Sequence, residues 1–79
     1  MKEYVSVDVE TTGLAPKQDK IIEIGAVRVR DGQIVESFTS FVNPGRILPA
    51  HIIELTGILQ EQVDEAETME SVLPAFLEF

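Results

Sequence analysis

The chain has 79 residues, of which 44% are hydrophobic and 25% are charged, and its formal net charge is −8. This length is compatible with one domain at most, and the absence of cysteine excludes disulfides and thiolate zinc sites. An acidic chain has no general attraction for nucleic acid, so such binding would require bound cations or a local basic patch. The sequence has no signal-peptide pattern and no apolar run of membrane-spanning length, which predicts a cytoplasmic protein without membrane contact.

The first predicted element is a strand over Tyr4 to Val9. Its residues alternate between an apolar face of valines and a polar face. The polar face carries Tyr4, Ser6, Asp8 and Glu10. The segment TTGLAPKQDK that follows contains Gly13 and Pro16 among polar residues, which predicts a loop.

A β-hairpin is predicted next. The segment Ile21 to Arg30 is rich in isoleucine and valine, and Asp31 and Gly32 supply a tight turn after it. A third strand then runs from Ile34 to Val42, and the turn formers of NPGRILP end it. The chain thus begins with three strands, of which the second and third are antiparallel.

Helices are predicted in the second half of the chain. The segment AHIIELT has room for barely two helical turns, and Gly57 is suited to the position after a helix. The acidic connector from Glu61 to Glu70 is interpreted as a solvated loop and helix start. Thr68 is the predicted N-cap of a final helix, which Pro74 should kink. The apolar stripe of this helix is predicted to pack in the core and consists of Met69, Val72, Leu73, Phe76 and Leu77.

Asp8 and Glu10 are the residues whose type and spacing point to chemistry. Residues i and i+2 of a strand project from the same face, so both carboxylates can converge on one cation or on two adjacent cations. Such oxygen ligands favour Mg²⁺ or Mn²⁺ over Zn²⁺. Thr11, Thr12 and Gly13 follow in a loop whose hydroxyl and N–H groups can meet a sugar or phosphate. A solvated strand end explains the same pattern, so spacing alone leaves both interpretations open.

Four stretches of the sequence together resemble one enzyme family. VDVETTGL is followed by IIEIGAVRV, then by FTSFVNPGRILPAHIIELTGI with its TGI turn, and then by QVDEAETMESVLPAFLEF. This combination resembles the DEDD superfamily of DnaQ-like 3′-5′ exonucleases. It is most similar to the proofreading exonucleases of bacterial DNA polymerase III, in the epsilon subunit or in the PolC-type polymerase, and the resemblance runs through the whole chain.

The resemblance implies an α/β fold of the ribonuclease-H-like type, with a mixed sheet whose first three strands are antiparallel and are followed by helices. Residues 1–79 would be the N-terminal half of one 3′-5′ exonuclease domain, because the second and third motifs of the family are missing from the sequence. The final helix reaches Phe79 without a capping residue, as expected for a chain truncated before the second motif. The first strand is then an exposed edge, which predicts a marginal monomer or a homodimer.

The resemblance also implies an activity. Members of the family release nucleoside monophosphates from DNA 3′ ends by two-metal-ion hydrolysis with Mg²⁺ or Mn²⁺, in proofreading, replication or repair. Asp8 would bind both metals and Glu10 the metal that activates water, with the remaining ligands beyond residue 79. The pocket for the terminal nucleotide would be lined by Thr11, Thr12, Gly13 and Leu14. Leu14 would pack against the base. The implied partners are a single-stranded DNA 3′ end and a DNA polymerase subunit.

Two other functions stay open on the sequence alone. RNA-directed 3′-5′ exonucleases of the same superfamily share these motifs, so the substrate could be RNA. Alternatively, the 79-residue chain is a non-catalytic fragment or a binding module, because two of the family's four metal carboxylates hold an ion weakly at best. No nuclease activity is expected from these residues by themselves.

The remaining charged residues are interpreted as structural or solvated. His51 is assigned a surface or capping role, and Glu23 a structural role near the sheet edge and away from the metals. Asp31 and Asp64 lie in the wrong context to replace the missing aspartates. Most of the basic residues are predicted to be solvated, with the two lysines as the best exceptions for phosphate contact: Lys17, Lys20, Arg28, Arg30 and Arg46.

Overall fold

The structure is a computed structural model that describes residues 2–15 and 17–79. Three strands come first, β1 (Glu3–Thr11), β2 (Ile21–Arg30) and β3 (Gln33–Phe41), and three helices follow, α1 (Ala50–Thr56), α2 (Gln60–Asp64) and α3 (Met69–Glu78). The predicted order of strands and helices is confirmed, although β1 is longer than predicted and β3 is shifted by one residue. Pro16, cited above for the loop after β1, lies outside the described residues. None of the helices in this described part is long and apolar enough to cross a membrane.

The strands form one antiparallel sheet in the order β1-β2-β3. Asp31 and Gly32 connect β2 to β3, and both have positive φ angles, 50° and 81°. This is the backbone conformation of the tight hairpin turn that favours Asp followed by Gly, so the predicted hairpin is confirmed. Among residues 2–15 and 17–79, β1 pairs with β2 alone, which leaves its outer edge exposed as predicted.

Two hydrophobic clusters join the helices to the sheet. In the first cluster, Ile52 of α1 and Val63 of α2 pack with Ile22 of β2. In the second cluster, Val72 of α3 packs with Ile24 of the same strand. Full burial of an Ile or Val side chain contributes about 1.5–3 kcal/mol to folding. The middle strand β2 therefore supplies the buried sheet residues of both clusters, and Phe41 and Phe38 of β3 pack beside them.

The acidic segment after α1 contains a helix, so its interpretation as a loop is wrong over residues 61–64, although most of its residues are exposed and the predicted helix start is present. α2 covers Gln60–Asp64, and its Val63 is fully buried in the first cluster. The side chain of Gln62 accepts a hydrogen bond from the backbone N–H of Leu59 at 2.8 Å and so satisfies a donor at the start of the helix. One buried valine and one capping glutamine thus order a segment that is otherwise polar.

The final helix is present, but its apolar stripe is only partly buried. Thr68 occupies the predicted N-cap position, although its side chain makes no capping hydrogen bond. Val72 is buried, and Met69 and Phe76 pack beside it. Leu77 is 71% exposed, so the prediction that the whole stripe packs in the core is wrong at this end. Leu73 is also exposed. Pro74 lies inside the helix, and the predicted kink stays a prediction.

The apolar face of β1 is only half covered. Val7 and Val9 stand opposite Ala26 and Ile24 of β2, so the two valines share a face with buried residues. Val7 is nevertheless 49% exposed. The valines of β1 therefore form a partly uncovered apolar strip. This strip lies on the strand whose outer edge is exposed.

Candidate functional site

The polar face of β1 brings Asp8 and Glu10 together at the end of the strand. Asp8 stands opposite Gly25 of β2 and is exposed, whereas Glu10 stands opposite Glu23 and is half-buried. Val9, which lies between them, belongs to the other face, as the alternation in the sequence predicts. Both carboxylates thus lie on one face of the sheet, in the positions that the sequence analysis expected.

Gly25 leaves space beside Asp8. A Cβ atom built on Gly25 would meet only the backbone oxygen of Asp8, at 3.9 Å. The side of the sheet next to the Asp8 carboxylate is therefore unobstructed by the neighbouring strand. A ligand approaching Asp8 from this face would meet backbone rather than a side chain of β2.

Glu23 lies closer to the predicted ligands than the sequence suggested. It is on the middle strand of the described sheet and directly opposite Glu10, so its expected placement near the sheet edge is wrong, whereas its structural role stays a prediction. Like charges directly opposite each other on neighbouring strands repel and reduce the stability of the sheet. This repulsion would be relieved by a cation between or beside the two carboxylates.

The loop after β1 is closed by its own side chains. The sheet register shifts between Glu10 and Thr11, where the regular strand pairing ends. The Thr11 hydroxyl donates to the backbone oxygen of Gly13 at 2.6 Å. Thr12 is only 3% exposed, and its hydroxyl donates to Asp19 Oδ1 at 2.9 Å. Both threonine hydroxyls are thus engaged within the loop, which spans residues 12–20 and is called the β1–β2 loop below.

Leu14 lies at the tip of the β1–β2 loop and is 99% exposed. It borders a cavity of about 740 Å³ between the loop and α1, a volume in the usual range of small-molecule sites. Glu10 is among the residues that border this cavity. The four predicted nucleotide-binding residues all line the cavity: Thr11, Thr12, Gly13 and Leu14.

The opposite wall of the cavity comes from α1 and the residue before it. Its side chains are mostly apolar: Pro49, His51, Ile52, Leu55 and Thr56. His51 is exposed, as predicted, and it also lines the cavity. Sequence reasoning missed this wall, because the order of residues does not reveal that α1 packs across from the loop.

A hydrogen bond joins the segment before α1 to the β1–β2 loop. Arg46 Nη1 donates to the backbone oxygen of Gln18 at 2.7 Å. The side chain of Gln60 in α2 accepts from the backbone N–H of Leu48 at 2.6 Å and donates to the backbone oxygen of Arg46 at 3.2 Å. Both walls of the cavity are therefore anchored to the rest of the fold.

Asp19 is the residue of this region that sequence reasoning missed. The N–H of Ala15 donates to Asp19 Oδ2, and the Thr12 hydroxyl donates to Asp19 Oδ1, both at 2.9 Å. The Ala15 hydrogen bond, followed by the Thr12 hydrogen bond, holds the pKa of Asp19 below its usual value. The charges of Arg46 and His51 act in the same direction, whereas burial opposes them.

Two of the basic residues form ion pairs across the sheet. Arg28 Nε lies 3.1 Å from Glu36 Oε1, and Arg30 Nη2 lies 2.7 Å from Glu3 Oε1. Both pairs are exposed, so these contacts add a partner to each arginine without contradicting the solvated interpretation. Exposed pairs of this kind contribute little to stability, with a median of about 0–1 kcal/mol. Lys17 and Lys20 are exposed, and their contact with phosphate stays a prediction.

Comparison with known proteins identifies the family. The sequence profile of the RNase_T family, described as exonuclease, matches residues 5–79. The chain belongs to the RNase_T exonuclease family. It is 54% identical over 77 residues to a PolC-type DNA polymerase III from Clostridium perfringens, and this match covers 98% of the chain and 5% of the polymerase. It is also 47% identical over 70 residues to the 3′-5′ exonuclease DinG of Bacillus subtilis, covering 87% of the chain and 8% of that protein.

Solved structures of exonucleases have the same fold. The nuclease domain of 3′hExo, a DEDDh family member bound to rAMP, superposes with a TM-score of 0.84 at 33% identity, covering 96% of the chain and 42% of that domain. Exonuclease X in complex with 5′-overhanging duplex DNA gives a TM-score of 0.79 at 32% identity, covering 91% and 42%. The predicted ribonuclease-H-like fold, with three antiparallel strands followed by helices, is confirmed. The chain spans about a twentieth of the PolC-type relatives it matches.

The donor chemistry of this RNase_T chain fits a divalent metal. Asp8 and Glu10 offer hard carboxylate oxygens on one face, which is the ligand type that Mg²⁺ and Mn²⁺ prefer. Within residues 2–15 and 17–79, no group of three or more His, Cys, Asp or Glu side chains is arranged to hold a metal ion. Because Mg²⁺ requires six ligands, waters, substrate oxygens or further side chains must supply the rest.

Proposed function

We propose that this chain is the N-terminal part of one 3′-5′ exonuclease domain, which releases nucleoside monophosphates from DNA 3′ ends by two-metal-ion hydrolysis. The observation that carries the proposal is the position of Asp8 and Glu10. They share one face at the end of β1, and Glu10 borders a cavity large enough for a nucleotide. The identity with PolC-type DNA polymerase III and with DinG supports the same reaction class.

The chain's own residues have distinct roles in this proposal. Asp8 and Glu10 would hold the divalent ions next to the scissile phosphate. Such ions, when bound, supply positive charge that stabilises the transition state of phosphate hydrolysis and lowers the pKa of water. Leu14 packs against the terminal base, with α1 behind it. The cavity lies next to Glu10, so the sugar and base of the last nucleotide are held beside the bond to be broken.

Three features support a domain that is larger than this chain. The nuclease domains that it superposes on are more than twice as long, since the chain covers 42% of each. Two carboxylates are fewer than a two-ion site requires. The edge of β1 is exposed and its apolar face is half covered. The missing metal ligands would therefore come from residues beyond 79, in a domain that is part of or associated with a cytoplasmic DNA polymerase.

The proposal is tested on the intact protein with a 5′-labelled single-stranded DNA oligonucleotide. We expect stepwise shortening from the 3′ end in the presence of Mn²⁺ or Mg²⁺, and none after chelation. Asp8→Asn should reduce kcat/KM by about 10³-fold, because it removes a charged ligand that acts in the transition state. Glu10→Gln should have a similar effect.

The matched control is Asp31→Asn. Asp31 is an exposed turn residue with φ of 50°, a conformation that asparagine also adopts, so this substitution makes the same chemical change away from the site. It should leave kcat/KM within twofold of the unsubstituted protein. Full activity of Asp8→Asn would refute the assignment of Asp8, and the absence of any metal-dependent shortening would refute the proposed function.

An RNA 3′ end is the second candidate substrate. One observation favours it, since the exonuclease with a TM-score of 0.84 is bound to rAMP. The same oligonucleotide synthesised as DNA and as RNA distinguishes the two substrates. A kcat/KM ratio above about ten in favour of either one assigns the substrate, because that ratio corresponds to ~1.4 kcal/mol of discrimination.

A further inference from the structure

Asp19 connects the two sides of the β1–β2 loop. It lies just before β2, and its carboxylate reaches back across the loop to two partners. Oδ1 accepts the hydroxyl of Thr12 and Oδ2 accepts the backbone N–H of Ala15, both at 2.9 Å. Thr12 and Ala15 flank the tip formed by Gly13 and Leu14. One side chain thus fixes both ends of the tip.

Thr12 links this carboxylate to the start of β2. Its hydroxyl accepts a hydrogen bond from the backbone N–H of Lys20 at 2.9 Å while donating to Asp19. Its own backbone N–H donates to the oxygen of Lys20 at the same distance, 2.9 Å. Thr12 itself is buried, whereas its side-chain bonds to Asp19 and Lys20 are partly buried. The loop is therefore closed by a connected set of hydrogen bonds with Asp19 at one end.

Gly13 lies in close contact with the same carboxylate. A Cβ atom on Gly13 would lie 2.6 Å from Asp19 Oδ2 and 2.8 Å from Asp19 Cγ, distances that real Cβ atoms do not reach. Any other residue at position 13 would push the carboxylate away from Thr12 and Ala15. Gly13 and Asp19 are thus two parts of one close contact.

We propose that Asp19 is a positioning residue for the 3′-terminal nucleotide. Its carboxylate holds the tip of the β1–β2 loop in one conformation, so that Leu14 faces the cavity next to Glu10 before a nucleotide arrives. Both of its oxygens already accept hydrogen bonds from the loop, so it acts through the loop rather than on the substrate. Preorganisation of this kind lowers the entropy lost on binding. This inference rests on the proposed function, because it assigns the nucleotide as the occupant of the cavity.

The first test compares steady-state kinetics of the intact protein on the labelled DNA oligonucleotide. Asp19→Ala should raise KM about tenfold and leave kcat within about twofold, because losing the loop contacts weakens binding without touching the metal ligands. The isosteric Asp19→Asn, which can still accept one of the two bonds, should give an intermediate KM. The control is Gln18→Ala, an exposed residue of the same loop, with unchanged KM.

The second test is a double-substitution cycle between positions 13 and 19. Gly13→Ala should raise KM by about as much as Asp19→Ala, because its Cβ displaces the carboxylate. Adding Gly13→Ala to Asp19→Ala should have no further effect, since the group it displaces is already gone. Independent, multiplicative effects on KM would overturn the inference, and so would a loss of kcat in Asp19→Asn with unchanged KM.

The third test needs no catalysis and separates the loop contact from the proposed function. Amide hydrogen exchange of the intact protein, read by mass spectrometry on peptides covering residues 11–20, should be faster in Asp19→Ala and Gly13→Ala than in Gln18→Ala. Unchanged exchange would overturn the role of Asp19 even if the protein is an active exonuclease. If the unsubstituted protein shows no exonuclease activity but exchange responds as expected, the proposed function fails while the loop contact stands.

Discussion

Thr12 and Asp19 illustrate how polar groups near a predicted substrate site are used. The Thr12 hydroxyl is buried, and a buried hydroxyl without a partner would be costly. It donates to Asp19 and accepts from Lys20, so both its donor and its acceptor have a hydrogen-bond partner. The Thr12 hydroxyl thus stabilises the loop itself and is not available to bind a ligand.

The lowered pKa of Asp19 makes a prediction about acid stability. A carboxyl group whose pKa is lower in the folded state stabilises the fold above its unfolded pKa and loses that contribution as the pH falls through its folded pKa. At pH 7 we therefore expect the chain to be more stable than Asp19→Asn. The difference in free energy of unfolding between the two proteins should shrink as the pH falls below the usual aspartate range, because a protonated Asp19 resembles asparagine.

The measurement is chemical unfolding of both proteins in parallel from pH 7 down to pH 3. The remaining carboxylates titrate in both proteins and cancel in the difference, so the change in the difference reports Asp19. A difference that stays constant over this pH range would show that the Asp19 charge does not stabilise the folded chain.

At the scale of secondary-structure elements, α2 depends on very few side chains. It has five residues, and Val63 is its only buried one. Helices this short have little intrinsic stability and form because tertiary contacts hold them. Val63 packs with Ile22 and Ile52, so it connects α2 both to the sheet and to α1. α2 therefore helps to hold α1, which forms one wall of the cavity, in place.

Removal of the Val63 side chain tests this dependence. Val63→Ala should lower the free energy of unfolding by about 2 kcal/mol, because it deletes buried methyl groups and leaves a cavity. The control is Ile47→Ala, where the side chain is 84% exposed and the loss should stay within about 0.5 kcal/mol. The two values come from chemical unfolding curves. Equal losses in the two variants would contradict the role given to Val63.

The strands and the acidic pair could be predicted from sequence because both depend on local periodicity. Alternation places Asp8 and Glu10 on one face, and Asp31 with Gly32 dictates the turn.

α2 was missed because one valine among acidic residues produces no helical pattern. Leu77 was predicted to be buried because its spacing continues the stripe, although spacing does not show where the sheet ends. Asp19 was missed because its partners depend on the path of the loop.

At the scale of the whole molecule, the sheet has two edges of different character. β3 carries two exposed apolar residues, Ile34 and Val35, next to each other in sequence, whereas β1 carries three exposed valines on one face. Unpaired strand edges beside apolar surface favour pairing with another chain. The prediction that the 79-residue chain forms a homodimer through β1 thus has a physical basis, and it stays a prediction.

Size-exclusion chromatography with light scattering tests the homodimer. The 79-residue chain should elute as a concentration-dependent dimer, and Val7→Lys should shift it toward the monomer, because a charge on the apolar strip disfavours pairing. Val35→Lys, on the opposite edge strand, is the control and should leave the dimer in place. A monomer at all concentrations, or equal shifts in both variants, would contradict pairing through β1.

The hydrogen bond from Arg46 to Gln18 has a consequence for size selection. It joins the segment leading into α1 to the loop on the other side of the cavity, and Gln60 holds that segment in turn. We therefore expect these hydrogen bonds to limit how far the two walls of the cavity can separate. An occupant that needs a wider gap should bind more weakly, because it would have to break these bonds.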